Sequence, residues 1–301
     1  MVLSFDFFMS GVILYSGRAV LRQSFMIKRY KGGEMRQKTG KVAAAIVSGC
    51  ALYIFLLYLL QNCFIIFPDS SYISPQQAGI PRFQEKPFTA DDGTKIMCWY
   101  AKGNPDKPAI LFFHGNAGQI ATFSLQMAAY LQKGYSVMMP EYRGFASTPG
   151  EFSQENIYRD GVAAYDFLHR QLGHSDIIIF GYSMGAAAAA AVAAQRPAQG
   201  LVLAAPFYSL KKIVSEKPVP GAALILKNEL PSYRFVSMFR KPLFIVHGAE
   251  DRLIPPSHGK ALYGLSPSKD RELKILAGQS HNALFFEDDG HKAILDWLSR
   301  H

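Results

Sequence analysis

Ser183 sits at the centre of Gly181-Tyr182-Ser183-Met184-Gly185, between the apolar run Ile177–Phe180 and an almost unbroken alanine stretch, Ala186–Ala194. A strand that turns sharply into a helix needs very small residues two places either side of the turn, and it lifts the central hydroxyl clear of the backbone. Such a hydroxyl attacks acyl carbonyls if a base takes its proton, an acid orients the base and amides face the developing oxyanion. One amide is that of Met184, at the positive end of the helix that follows. The other is the backbone N–H of Asn116, in the glycine-rich turn His114-Gly115-Asn116-Ala117-Gly118. Each such donor is typically worth about 3 kcal/mol in the transition state. His114 reads as a fastener of this turn and not as the base. The orienting acid falls in the loop after Pro242–Val246, where Asp251 is the first choice and Glu250 the alternative. The base is His281, in Ala277-Gly278-Gln279-Ser280-His281-Asn282 just past the run Leu273–Leu276. The other histidines, His169, His174, His258, His291 and His301, read as surface residues.

These residues sit at the ends of apolar runs, so a sheet must carry them. Strands are expected at Ala109–Phe113, Ser136–Met139, Asp176–Phe180, Gly200–Ala204, Pro242–Val246 and Leu273–Leu276. Helical patterns fill most gaps, at Thr122–Gln132, Asn156–Leu172, Met184–Arg196, His258–Leu265 and His291–Ser299. The alternation predicts an α/β fold: a mostly parallel twisted sheet with helices on both faces. Lys86–Ala101 reads as a hairpin turning at Asp92-Gly93. Residues 209–240, with Pro218, Pro220 and Pro231, break the rhythm and read as a short lid. Its neighbourhood offers Phe207, Tyr208, Leu224, Ile225, Leu226, Tyr233 and Phe235 for an apolar acyl pocket.

Ahead of this domain, Val42–Phe67 is 26 residues without a charge. As a helix it would span about 39 Å, more than the roughly 30 Å hydrocarbon core. A transmembrane helix is therefore expected over 42–67, between a basic segment (1–41) and a linker (68–87), with the hydrolytic domain at 88–301. Lys28, Arg29, Lys31, Arg36, Lys38 and Lys41 precede the span and no basic residue follows before Arg82, which keeps the N-terminus cytoplasmic and sends the domain to the extracytoplasmic or lumenal side. The apolar stretch is too long for a cleaved signal peptide, and no small-residue site lies around Pro68-Asp69-Ser70. Val47-Ser48-Gly49-Cys50 has the look of a lipoprotein box, yet the following residues stay apolar where a processed lipoprotein starts polar. Val2–Ser16 is short and interrupted by Asp6, an interfacial piece or a stretch upstream of a start at Met26 or Met35. The net charge of +9 is concentrated at this end: residues 1–41 carry +6, leaving +3 for the rest, so it is a topology signal and not a nucleic-acid footprint. With Cys50 and Cys63 in the apolar segment, Cys98 has no partner for an intradomain disulfide. No cysteine–histidine spacing calls for zinc, and no cofactor or metal is expected.

From about Phe83 onward the chain resembles the small-lid α/β-hydrolase family of membrane-anchored serine hydrolases, which includes protein depalmitoylases. The stretches that carry the resemblance are His114-Gly115-Asn116-Ala117-Gly118, Tyr142-Arg143-Gly144-Phe145, Gly181-Tyr182-Ser183-Met184-Gly185, His247-Gly248 with Asp251 and Ile254-Pro255, and His281-Asn282. Their order of serine, acid and histidine is that of α/β-hydrolases and differs from the orders of chymotrypsin-like and subtilisin-like proteases. The resemblance implies the α/β-hydrolase fold, with a nucleophile elbow at Ser183, Asp251 rather than Glu250 as acid, and His281 as base. Ala146 stands where the family usually has glycine, and Ser280 replaces a glycine ahead of the histidine. The expected activity is hydrolysis of an ester or thioester, of carboxylesterase or thioesterase type, on an acyl substrate that includes lipid-like ones. An acyltransferase or a peptidase would use the same triad, and a catalytically idle membrane-tethered binding module is the alternative from another class.

Overall fold

The computed structural model describes the backbone from Asp6 to His301 and, apart from Met26, side chains from Arg36 onward. The chain divides after Leu57 into two compact units. The first consists of helix α1 (Asp6–Ile65) up to that point. Within α1, Arg36–Ile65 is long and apolar enough to cross a membrane, and none of its apolar window is buried by protein. Helix α1 runs back past the charge-free stretch because Lys, Arg, Gln and Glu are good helix formers. At its other end it stops at Ile65, two residues short of the expected limit. Pro68 drives the residue before it into extended backbone, and Phe67–Pro68 forms strand β1 instead. Met1–Phe5, which include the start of the apolar Val2–Ser16 piece, lie outside the described residues.

The second unit, from Tyr58, continues with β2 (Gln84–Glu85), β3 (Phe88–Thr89), β4 (Lys95–Ile96), β5 (Cys98–Ala101), β6 (Ala109–Phe113), β7 (Ala117–Gly118), α2 (Ile120–Gln132), β8 (Ser136–Pro140) and α3 (Gln154–Arg170). Then come β9 (Ile177–Tyr182), α4 (Met184–Ala193), β10 (Gly200–Ala204), α5 (Leu210–Ser215), a 3-10 turn at Ala222–Leu224, α6 (Ser232–Val236), β11 (Leu243–Gly248), α7 (Ser257–Leu265), β12 (Arg271–Leu276), α8 (Ala283–Phe286) and α9 (Asp288–Leu298). Among the described residues the main sheet has eight strands in the order β12-β11-β10-β9-β6-β8-β5-β2. From β12 to β8 the pairs are parallel; β5 and β2 are antiparallel additions at one edge. Successive side chains in a strand face opposite sides. Accordingly Leu111, Ile179, Leu203 and Ile245 join the core beneath α3 and α4, while Phe112, Phe180, Val202 and Phe244 join the one beneath α2 and α9.

Three local outcomes differ from the sequence reading. Only β3 and β4 form the hairpin, with Gly93 at φ 83° in its turn. Strand β5 leaves the hairpin to pair with β8, because Trp99 and Ala101 complete the core face under α2. Residues 68–87, expected as a linker, pack on the domain: Ile80 and Phe83 are buried and β2 pairs with β5. The stretch 209–240 contributes only α5 and the 3-10 turn as a cover, since Ser232 and Val236 of α6 are fully buried and α6 packs on α4.

After β6 the chain proceeds to β8 on one side, and later to β9 on the other, so the strand order reverses between β6 and β9. A crevice at the carboxyl ends of the strands opens at such a reversal. The loops that leave β6 and β9 carry Asn116 and Ser183.

Candidate active site

The turn at Ser183 is built by exclusion. A Cβ on Gly185 would stand 2.1 Å from the carbonyl oxygen of Phe113, and one on Gly181 would stand 2.3 Å from that of Gly185. Neither position admits a side chain, and the alanines of α4 let the helix approach the sheet as closely as the turn demands; Ala186–Ala191 are wholly buried. Ser183 itself has φ 55° and ψ −118°, a left-sided conformation that costs an L-residue energy. It is held by its amide, which donates to the carbonyl of Ala204 on β10 at 2.9 Å.

His281 Nδ1 lies 2.6 Å from Asp251 Oδ2, and His281 Nε2 lies 3.0 Å from Ser183 Oγ. A carboxylate can only accept, so the Nδ1 proton is on the Asp251 side and Nε2 is left to accept from the serine hydroxyl. All three residues are buried. The second oxygen of Asp251 accepts from the amides of Leu253 (3.0 Å) and Ile254 (2.8 Å). Burial by itself would raise the Asp251 carboxyl, but hydrogen bonds from His247, His281 and the Ile254 amide outweigh it and hold the group well below the usual carboxylate range. Glu250, the alternative acid, is exposed.

Two contacts of this cluster had no signal in the sequence. His247 Nε2–H donates to the carbonyl of Ile254 at 2.8 Å and stands 3.3 Å from Asp251 Oδ2, while its Nδ1 is buried without a hydrogen-bond partner. The Tyr182 ring lies beside that of His281, centroids 5.4 Å apart, and its hydroxyl donates to the His281 carbonyl. His247 stands within a recognisable motif, but only the folded loop reveals that it reaches the same Asp251 oxygen as His281.

Asn116, Ser183 and Met184 border one cavity of about 250 Å3. The Asn116 side chain donates to the carbonyl of Ile65, at the end of α1, which borders the same cavity. His114 is tied at both ring nitrogens, to Glu141 at 2.7 Å and to the Gly115 carbonyl at 2.8 Å, and Tyr142 donates to its carbonyl. Glu141 also accepts from the first amide of α2, so this histidine pins the glycine-rich turn. Arg143 forks onto Asp160 and Asp92, joining α3 to the hairpin. Ala146 takes φ 46°, a region that favours glycine, and its amide donates to Asp69.

The apolar lid residues divide. Phe207 lines the cavity beside Ser183, whereas Tyr208 stacks on Tyr233 and Phe235 packs on Tyr158. Leu224 is 87% exposed and borders a different hollow. Leu210, Ile213 and Val214 of α5 take the place these residues were expected to fill. His258 is buried and not on the surface: it accepts from the Tyr208 amide and meets Glu216, which joins α7 to the segment after α5. His291 is half-buried between Tyr130 and the Phe285 carbonyl, and His174 half-buried against Tyr100; only His169 of the five is exposed. Among the described residues no group of His, Cys, Asp or Glu is arranged to hold a metal ion.

The chain is 28% identical over 247 residues to the uncharacterized protein Rv2307c of Mycobacterium tuberculosis, covering 80% of this chain and 86% of that one. It is 25% identical over 268 residues to the uncharacterized membrane protein YNL320W of Saccharomyces cerevisiae, covering 86% and 94%. In fold it is similar to the esterase Pf2001 of Pyrococcus furiosus, with a TM-score of 0.64 over 78% of this chain and 98% of that one at 17% identity. Residues 104–238 and 233–289 match the Hydrolase_4 family, described as serine aminopeptidase, S33, and with the elbow, the parallel sheet and the strand-end loops in place, the chain belongs to that family of α/β-hydrolases.

Proposed function

We propose that the protein is a membrane-anchored serine hydrolase of acyl esters or thioesters, with Ser183 as nucleophile, His281 as general base and Asp251 as its orienting acid. The observation that carries this is the unbroken chain of contacts from Asp251 through both nitrogens of His281 to Ser183 Oγ. Ser183 Oγ attacks the acyl carbonyl as its proton passes to His281 Nε2, and the Asn116 and Met184 amides take the oxyanion. His281 then protonates the leaving group, and water, deprotonated by the same nitrogen, releases the acid. The family description also raises a peptidase. Among the described residues the cavity beside Ser183 is bordered by Lys217 and by no acidic side chain, which favours an apolar acyl group over a peptide's ammonium terminus. A fluorophosphonate probe is expected to label the purified full-length chain at Ser183, and a folded protein that resists labelling counts against the reading.

The anchor is the apolar part of α1, and the orientation follows the basic residues ahead of it: N-terminus cytoplasmic, hydrolase domain outside or lumenal. The yeast relative's description as a membrane protein supports the anchoring. In a bacterial host a C-terminal alkaline phosphatase fusion is expected to be active. An inactive phosphatase fusion beside a working cytoplasmic reporter would reverse the orientation.

A further inference from the structure

The last two turns of α1, from Tyr58 to Ile65, belong to the catalytic unit, and they are fastened to it both at the oxyanion turn and at the lid segment. On the oxyanion side, Asn116 donates to the Ile65 carbonyl, β1 pairs with β7 at Phe67↔Ala117 and Pro68↔Gly118, and the Asp69 amide donates to Gly118. On the lid side, Gln61 donates to the Ile225 carbonyl and accepts from the Lys227 amide. Directed bonds to both the oxyanion turn and the lid segment are more than a tether requires. Between them, Phe64, Ile65, Ile66 and Phe67 line the cavity that reaches Ser183. Phe64 and Phe67 are 67% and 53% exposed, so the core does not account for them. The facing wall is apolar too, formed by Ile213 and Val214.

We propose that the end of the membrane helix is one wall of an acyl-chain site, and that the substrate class is an ester or thioester of a medium-to-long, flexible acyl chain. This rests on the reading of Ser183 as nucleophile. The chain lies against Phe64, Ile65 and Ile66 with its carbonyl at Ser183. The anchor is thereby a specificity element of the enzyme.

The test uses the full-length protein in one detergent, with p-nitrophenyl esters from acetyl to decanoyl and a fluorophosphonate probe in parallel. For the wild type kcat/KM is expected to rise with chain length, by up to about fourfold per buried methylene, until the cavity is filled. Phe64→Ser combined with Ile65→Ser is expected to lower the decanoyl-to-acetyl ratio at least tenfold. Ile65→Trp, which fills the cavity and keeps the surface apolar, is expected to shift the preferred chain to a shorter one. It carries the test if the double variant fails to fold. A wild type with no chain-length dependence, or variants with the wild-type ratio while Ser183 still labels, overturns the acyl wall alone. A folded wild type that neither labels nor turns over any ester overturns the nucleophile and this proposal with it.

Discussion

Ser183→Ala is expected to lower kcat for acyl-ester hydrolysis by on the order of 10⁶-fold and to abolish fluorophosphonate labelling. The variant removes only the side-chain oxygen, on which the backbone of the turn does not depend. Alanine has the same Cβ as serine, so it adds no strain at φ 55°, and the amide still donates to Ala204. The glycines whose contacts shape the turn are untouched. The unfolding midpoint should therefore stay close to the wild-type value, with a stability change within about 1 kcal/mol, which separates lost chemistry from lost fold. What disappears is the oxygen 3.0 Å from His281 Nε2, and with it the acyl-enzyme. Residual turnover above the uncatalysed rate is expected, because the Met184 and Asn116 amides remain to stabilise an oxyanion formed by attack of water. Steady-state hydrolysis and thermal unfolding on the same preparations check both halves. Retention of activity within tenfold would place the nucleophile elsewhere.

Asp251→Asn is expected to cost about 10⁴-fold in kcat while leaving the substrate site intact. The amide is isosteric, and its oxygen can keep the bonds from Leu253 and Ile254 that shape the loop. It then presents an N–H to His281 Nδ1, which forces the ring proton onto Nε2 and blocks acceptance from Ser183. Labelling by fluorophosphonate should slow in proportion, since it needs the same proton transfer. The same carboxylate has a signature in stability. Its folded-state pKa lies below the unfolded value despite burial, so its contribution is complete above the unfolded carboxylate range, near pH 4, and is lost as pH falls through the folded value. The asparagine variant lacks that dependence. Unfolding of wild type and variant followed from pH 7 downward should show their stability difference shrinking on the acid side. A constant difference would mean that Asp251 is not held ionised by its neighbours.

Much of this site was legible in the residue order because its parts are local. A strand, a five-residue turn with obligatory glycines and an alanine helix specify the elbow within a short span of chain. Asp251 and His281 stand just past apolar runs, where a parallel sheet leaves its loops. The long apolar part of α1 was equally plain, since 26 uncharged residues in a row need no tertiary contact to stand out. Only the tertiary structure decided contacts between residues far apart in the chain. His247 reaches Asp251 because the loop after β11 folds back on its own strand, and nothing in the period of the strand encodes that. His258 is buried by the segment after α5, a helix absent from the sequence pattern because it is six residues long. The lining of the cavity was read only in part for the same reason: Phe207 borders it as expected, but Tyr208 and Tyr233 pair with each other and Phe235 with Tyr158 of α3, while Phe64–Phe67, read as the end of an anchor, come to line it. Composition marked those residues as apolar, but which surface they cover depends on Asn116 and β7, 50 residues further along the chain.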